Sequence, residues 1–390
     1  MNPLREKIEE EIRQRGPIPF SCYMELCLYD PEHGYYSRNA QQFGKAGDFY
    51  TSSDVHAVFG RLMARQFDEM WRALDSPGKI DLVELGPGRG LFAQDVLGWS
   101  EKKFPDFFRA LQYVLLESSS ALQARIQATL SRYLQKGKAT LIEPKSLIGT
   151  VPSETPPTVG HAHHFGNPTI VFANEFFDAL PVEILSTNGS LRINARDGRF
   201  IETWTPPSPE ELESLDRYSI HPEPHERVEV SFTAQNYMNQ IAANLQRGFL
   251  TAIDYGYTRE EQLAGRHRGT LKALRQHSIS ANPYEAPGEQ DITADVNFSA
   301  LAAAAEKQGM QAQKLVTQSQ FLLGIGEANQ FADAFEDCRL PQERAKVALQ
   351  LKHLVTPAGM GESFQVLVAS KGIEDEKVSE LSGLTFGRRN

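Results

Sequence analysis

The sequence predicts an α/β fold, a mostly parallel sheet with helices on both faces. Three observations predict it. The stretch Asp81 to Gly90, DLVELGPGRG, passes from a short apolar run (Ile80, Leu82, Val83) into Gly86, Gly88 and Gly90, then into helical periodicity at Leu91, Phe92, Val96 and Leu97. That is a strand, a tight glycine turn and a helix. From Ile80 onward, strand and helix patterns alternate, as in a parallel sheet covered on both faces. The predicted strands also finish on polar residues, and ligands of open α/β sheets bind beyond the carboxyl ends of the strands.

In chain order, Asn2 is an N-cap with Pro3 at the first helical position, and Leu4, Ile8 and Ile12 mark an amphipathic helix that Gly16-Pro17 stops. A short segment at Tyr23 to Leu28 leads to DPEHGYYSR and then to FGKAGDFYTSSD (Phe43 to Asp54), a loop rich in glycine, aromatic and hydroxyl residues of the kind that closes ligand sites. Val55, Phe59, Leu62, Phe67, Met70 and Leu74 give a long helix. Strand one ends at Leu85, strand two is Gln112 to Leu116 and strand three Thr140 to Ile142, with a helix between the last two capped by Ser119 or Ser120. Gly149 to Pro168 reads as a loop. Strand four, Thr169 to Ala173, runs into NEFFDALP.

Alternation at Leu191-Arg192-Ile193 and Val228-Glu229-Val230 makes 182–232 a β-rich excursion, with proline-rich breaks at 206–209 and 222–224. A helix at Tyr237 to Leu245 and strand five, Gly248 to Ile253, follow, ending in DYGY. A second excursion, Gly269 to Phe298, precedes an alanine-rich helix ending at Gly309. Strand six falls at Gln313 to Val316, 318–355 reads as helical, and the last strand is Phe364 to Ala369. The two excursions are expected to form one cap over the sheet.

The 390 residues are 41% hydrophobic and 23% charged, ordinary globular material, and the net charge of −10 disfavours non-specific binding to nucleic acid or acidic membrane. A basic protein or peptide is the easier partner. Cys22, Cys27 and Cys338 cannot form a closed disulfide set or a zinc site and read as reduced thiols. No run is long and apolar enough for a membrane span. His161, His163 and His164 have no carboxylate or cysteine of fitting spacing, so the loop is expected to be solvated and to hold no metal.

Counted from Gly86, the sixth residue is Leu91, where a dinucleotide fingerprint wants glycine or alanine. NAD is therefore disfavoured. Beyond the strand ends lie Gly86, Pro87, Gly88 and Gly90 after strand one, Glu117 after two, Asn174 and Glu175 after four, and Asp254 and Tyr255 after five. Glu117 is placed to take both hydroxyls of a ribose, since a carboxylate is a bidentate acceptor; its competing role is a helix-entry acid favoured by the dipole. Glu84 directly before a G-x-G-x-G turn resembles the nucleotide-binding motif of class I S-adenosylmethionine methyltransferases.

Taken together, GYYSR, FGKAGDFYTSSD, VELGPGRG, NEFFDALPVE, IDYGY, GTLKAL, PGEQDITADVNFSAL and MGESFQVLV resemble the MidA family of class I methyltransferases, in order over residues 16–370. Mitochondrial members of that family are protein arginine methyltransferases required for respiratory complex I assembly. The resemblance implies a Rossmann-like seven-stranded sheet with its last strand antiparallel, plus N-terminal helices and an inserted β-rich and helical cap. The chain divides accordingly into an N-terminal helical and ligand-loop region (1–75), a methyltransferase domain (76–370) with insertions at about 182–232, 258–298 and 318–355, and a tail (371–390). S-adenosyl-L-methionine would be surrounded by Gly47, Asp48, Phe49, Tyr50 and Thr51, by Glu84, Gly86, Pro87, Gly88 and Gly90, and by Glu117, Asn174 and Glu175. The chain departs from mitochondrial members in lacking a basic targeting leader, which implies a bacterial, cytoplasmic relative and loosens the link to complex I.

A guanidinium is protonated at physiological pH, and its planar fork pairs with carboxylates. The motif acids are Glu175, Asp178, Asp254, Glu289 and Asp291; Glu175 is the first candidate to hold an acceptor arginine, with Asp254, Glu289 and Asp291 behind it. The competing role of each is to cap a turn. The expected function is methyl transfer to arginine of a protein partner, for which the resemblance implies a respiratory-complex subunit; the alternatives are a coenzyme-binding assembly factor with little turnover and a small-molecule methyltransferase.

Overall fold

The opening helix, Pro3–Arg15, begins where the sequence places it: the Asn2 side chain accepts hydrogen bonds from the N–H groups of Leu4 and Arg5, and Gly16 ends the helix with φ 82°. The two-residue β1 (Ile18–Pro19) and a helix over Phe20–Tyr29 follow. The computed structural model describes residues 2–38, 57–143, 165–275, 278–280 and 282–386. The expected ligand loop with Gly47, Asp48, Phe49, Tyr50 and Thr51, and His161, His163 and His164, lie outside the described residues.

The helix Ala57–Ala73 buries Phe59, Leu62, Phe67 and Met70. The first half of the main sheet then forms from β2 (Ile80–Leu85), β3 (Leu111–Leu116), β4 (Ala139–Ile142) and β5 (Thr169–Asn174), all parallel, with β2 central between β3 and β5. These agree with the predicted strands to within a residue at each end. The first excursion is antiparallel: β6 (Glu183–Ser186), β7 (Gly189–Arg196), β8 (Arg199–Thr205) and β9 (Val228–Val230) form one sheet, and β1 joins it along β7. The proline-rich stretch read as a break instead starts a helix, Pro209–Tyr218. Ser208 and Glu211 close a reciprocal capping box with Pro209 at the first helical position, so the proline initiates rather than interrupts.

After the helix Phe232–Asn244, β10 (Gly248–Tyr257) pairs with β5 as far as Ile253 and runs on beyond the predicted end. The second excursion is a three-stranded antiparallel sheet of β11 (Lys272–Arg275), β12 (Ser278–Ser280) and β13 (Asp291–Thr293). The short β14 (Val296–Asn297) then returns to lie parallel against Gly256 and Tyr257. A side chain at Gly256 would stand 2.3 Å from the Val296 carbonyl, so only glycine lets β14 approach. Past the helix Phe298–Lys307, the predicted strand six is two short pieces, β15 (Gln311–Ala312) and β16 (Val316–Thr317), either side of the predicted span. Both lie along β17 (Phe364–Lys371) at the sheet edge, and between them Gln313 still donates to the Val368 carbonyl. The region 318–355 is helical at Gln318–Glu327, Ala332–Phe335 and Pro341–Val355.

The main sheet thus runs β15/β16, β17, β10, β5, β2, β3, β4, with β17 antiparallel to β10. This is the seven-position sheet with an antiparallel last strand that the resemblance implies. One face is packed by Phe59, Phe67, Phe92 and Phe172, and the other by Leu85, Val171, Met238 and Leu301. A third core joins the N-terminal helices to both excursions through Leu4, Ile8, Tyr23, Ile184, Ile193, Ala273 and Ile292. Among the described residues no helix is long and apolar enough to cross a membrane.

Candidate functional site

The turn after β2 is shaped by three glycines in the left-handed region, Gly86 (φ 63°), Gly88 (φ 53°) and Gly90 (φ 74°). Gly86 donates to the Leu116 carbonyl, which locks the turn to β3, and Gly90 donates to Pro87 before the helix Leu91–Lys103 begins. A side chain at Gly86 would meet the Phe176 ring at 3.0 Å, whereas at Gly88 nothing lies within 4 Å among the described residues. Among those residues the turn is closed underneath and open above.

Glu84 sits beneath it. Its carboxyl is buried and accepts the Tyr113 hydroxyl at 2.8 Å, and burial pushes its pKa up to about 8, with Glu117 adding to the rise and Tyr113 opposing it. Glu84 therefore supports the turn from inside as a neutral acid. Glu117, the residue after β3, is also buried; one carboxylate oxygen accepts from the Ser119 N–H at 2.8 Å, and burial pushes the group up to about 7. Ser119 caps the helix Ser120–Thr129 and donates through its hydroxyl to the Tyr36 carbonyl at 2.9 Å, while the Tyr36 phenol donates to Asp291 at 3.1 Å. Tyr36 so ties the coenzyme side to the second excursion.

Asn174 ends β5. Its amide donates to Glu175 at 3.0 Å, and its side-chain oxygen is buried without a hydrogen-bond donor among the described residues. An orphaned buried acceptor, a buried carboxylate at the end of β3 and open space over Gly88 suit a ligand rich in O–H and N–H donors. The nucleoside and amino-acid portions of S-adenosylmethionine have that character, so the residues present fit it.

Glu175 has φ 50°, a conformation rare outside glycine. The cause lies in Asp254. One of its carboxylate oxygens accepts from the N–H groups of Phe176 (3.2 Å), Phe177 (2.9 Å) and Asp178 (3.2 Å), and the other from its own neighbour Tyr255 (2.9 Å). The NEFFD loop is wrapped around this one side chain. Asp254, expected to hold an acceptor, is thereby committed to the backbone and shapes the loop that presents Glu175. Its pKa is raised by burial, with Asp178 and Glu175 contributing.

Asp178 is buried beside it and pushed up to about 7 by burial, with Asp295 adding to the rise and Lys272 opposing it. Its carbonyl accepts from Ala294, which fastens the loop to the second excursion. Asp295 accepts from the Lys272 ammonium at 2.9 Å and stands 3.1 Å from Nδ1 of His267. The Lys272 nitrogen lies 5.5 Å from the centre of the Tyr255 ring, and the same phenol is influenced by Glu175, Asp178, Asp254 and Asp295 together. Asp291 accepts from Tyr36, and both it and Asp178 act on the Tyr29 and Tyr36 phenols. Glu289 is not brought to the site: it forms an ion pair with Arg275 at 2.6 Å on the surface of the second excursion. Asp295, Lys272, His267 and Tyr36 were missed as site residues, although Asp295 and Lys272 lie inside the motifs PGEQDITADV and GTLKAL.

Residues 62–316 match the family described as "Putative S-adenosyl-L-methionine-dependent methyltransferase". The chain is 31% identical to the mitochondrial protein arginine methyltransferase NDUFAF7 homolog of Drosophila melanogaster, over 95% of this chain and 85% of that protein. It is 26% identical to the human mitochondrial protein arginine methyltransferase NDUFAF7, over 93% and 83%. A crystal structure of a Burkholderia thailandensis protein bound to S-adenosyl-homocysteine superposes with a TM-score of 0.78 at 28% identity, covering 95% of this chain and 92% of that one.

Proposed function

We propose that arginine of a protein is the methyl acceptor of this chain, which belongs to the family of S-adenosyl-L-methionine-dependent methyltransferases. It is such an enzyme, and S-adenosylmethionine is its coenzyme. When bound, the coenzyme supplies an electrophilic methyl group on a sulfonium. In our reading Glu117 accepts the ribose hydroxyls, the Asn174 side-chain oxygen accepts an N–H, and the Gly86 to Gly90 turn lets the ligand approach the backbone.

One observation carries the choice of acceptor: Glu175, Asp178, Asp254 and Asp295 gather next to the coenzyme turn, and Lys272 pairs with Asp295. Clustered carboxyls favour a cationic ligand, and a guanidinium is the cation that forks onto carboxylates and stacks on a tyrosine ring. Glu175 holds and orients the group, so that positioning supplies much of the acceleration. The relatives named as protein arginine methyltransferases support the same acceptor, and the resemblance to complex I assembly enzymes makes a respiratory-complex subunit the partner we propose.

Methyl-labelled S-adenosylmethionine incubated with the purified protein and a soluble lysate lacking its gene should label arginine of a discrete protein, read by mass spectrometry. Label on a small metabolite would favour a small-molecule methyltransferase. No label despite measured coenzyme binding would favour an assembly factor. Glu175→Gln should leave coenzyme binding intact and lower transfer roughly 100-fold or more.

A further inference from the structure

The cation place in the acceptor-side acid cluster is occupied by a side chain of the protein itself. Lys272 stands on β11, in the second excursion, and reaches back so that its ammonium lies 2.9 Å from Asp295 and over the Tyr255 ring. The two ends of this pair are held very differently. The Asp295 side chain is 14% exposed; its other oxygen is engaged by His267 and its own N–H donates to the Thr270 hydroxyl. The Lys272 side chain is 43% exposed. The acid is fixed and the cation can swing away.

We infer that Lys272 is a resident cation of the acceptor site, displaced by the incoming arginine, and that it sets the strength with which a guanidinium is held. The inference rests on the arginine reading above. At rest, the ammonium offsets the negative charge of Asp295 and lowers the cost of keeping Asp178 ionised beside it. An incoming guanidinium replaces that charge and adds what an ammonium lacks, a planar face for the Tyr255 ring and a fork for the carboxylate. A lysine acceptor offers only the point charge that Lys272 already supplies. The preference for arginine belongs to Asp295 and Tyr255, and Lys272 lowers the apparent affinity for either acceptor by the same factor.

The test is direct binding to the full chain saturated with S-adenosylhomocysteine, by calorimetry, of three probes: Nα-acetyl-arginine amide, its neutral isostere Nα-acetyl-citrulline amide, and Nα-acetyl-lysine amide. The native protein should prefer arginine to citrulline. Lys272→Met, which keeps the length and removes the charge, should bind the arginine probe roughly two- to five-fold tighter, the size of a partly exposed ion pair, and should gain the same factor for lysine, so that selectivity stays as in the native protein. Lys272→Arg, which puts a forking guanidinium in the resident place, should bind the arginine probe no more tightly than the native protein does. If the methionine variant has a lowered melting temperature, Lys272→Gln carries the same comparison. An unchanged or weakened arginine affinity in the charge-free variant, with the native preference for arginine over citrulline intact, would make Lys272 a strut between β11 and Asp295 and overturn this inference alone. No preference for arginine over citrulline in any of the proteins would overturn the arginine reading and this inference with it.

Discussion

The coenzyme side and the acceptor side of the cleft both bury carboxyl groups, and they satisfy them in opposite ways. Glu84 and Glu117 are met by neutral donors, a tyrosine hydroxyl and a backbone N–H, and burial pushes them to about 8 and about 7. Asp178, Asp254 and Asp295 crowd one another, and their partners are a lysine, a histidine and a fan of backbone N–H groups. The difference teaches what each side is made to receive. Neutral donors around a buried acid leave a site for hydroxyls, whereas acids stacked against acids leave one for a cation.

The largest effect should come from the residue on which the acceptor side is built. Asp254→Ala strips the acceptor from the N–H groups of Phe176, Phe177 and Asp178, so the loop that presents Glu175 loses its centre. Buried donors left unmatched cost about 1–3 kcal/mol each and are not additive, so urea unfolding should show a loss on the order of 4 kcal/mol. A loss below about 1 kcal/mol would mean that the loop holds itself and that Asp254 is free for the acceptor after all.

A smaller effect, with a pH signature, is expected on the coenzyme side. Glu84 ionises near 4.5 when unfolded and near 8 when folded. Between those values the unfolded chain has lost the proton that the folded chain keeps, so stability falls as pH rises from about 4.5 to about 8 and levels off beyond. Glu84→Gln keeps an acceptor for Tyr113 and removes the titration. The variant should match the native protein at pH 5 and exceed it at pH 9 by on the order of 2 kcal/mol, since each pKa unit is about 1.4 kcal/mol and the amide will not fit perfectly. Equal differences at both pH values would show that Glu84 is ionised in the fold and would erase the contrast between the two sides.

The same contrast explains what was legible in the sequence. The coenzyme side is local: Glu84, Gly86, Gly88 and Gly90 are consecutive or nearly so, and Glu117 follows a strand that alternation alone locates. Positive φ at glycines is a constraint that sequence displays openly. The acceptor side is assembled from Asp178, Asp254, Lys272 and Asp295, whose proximity exists only after β10 and the second excursion have folded back on the NEFFD loop. Asp254 and Glu289 looked equivalent as motif acids. What separates them is three-dimensional: one is enclosed by four N–H groups, the other paired with Arg275 at the surface. Ser208 to Glu211 shows the converse, since its capping box was present in the sequence and the surrounding prolines hid it.

The smallest effect probes whether the two sides are independent. Tyr36 is the residue that touches both, through its carbonyl to Ser119, whose N–H binds Glu117, and through its phenol to Asp291 in the second excursion. Tyr36→Phe removes the phenol bond to Asp291 and leaves the carbonyl contact in place. If the cap steadies the coenzyme side through this strap, S-adenosylhomocysteine should bind about two- to five-fold more weakly, the worth of one hydrogen bond at about 0.5–1 kcal/mol, although the altered atom is on the acceptor side. Ser119→Ala, which also removes the helix cap, should weaken binding by at least that factor, and the double variant should lose less than the product of the two, because both cut the strap. Full multiplicativity in that cycle, measured by calorimetry, would mean that Tyr36 merely fills space and that each side holds its ligand without reference to the other.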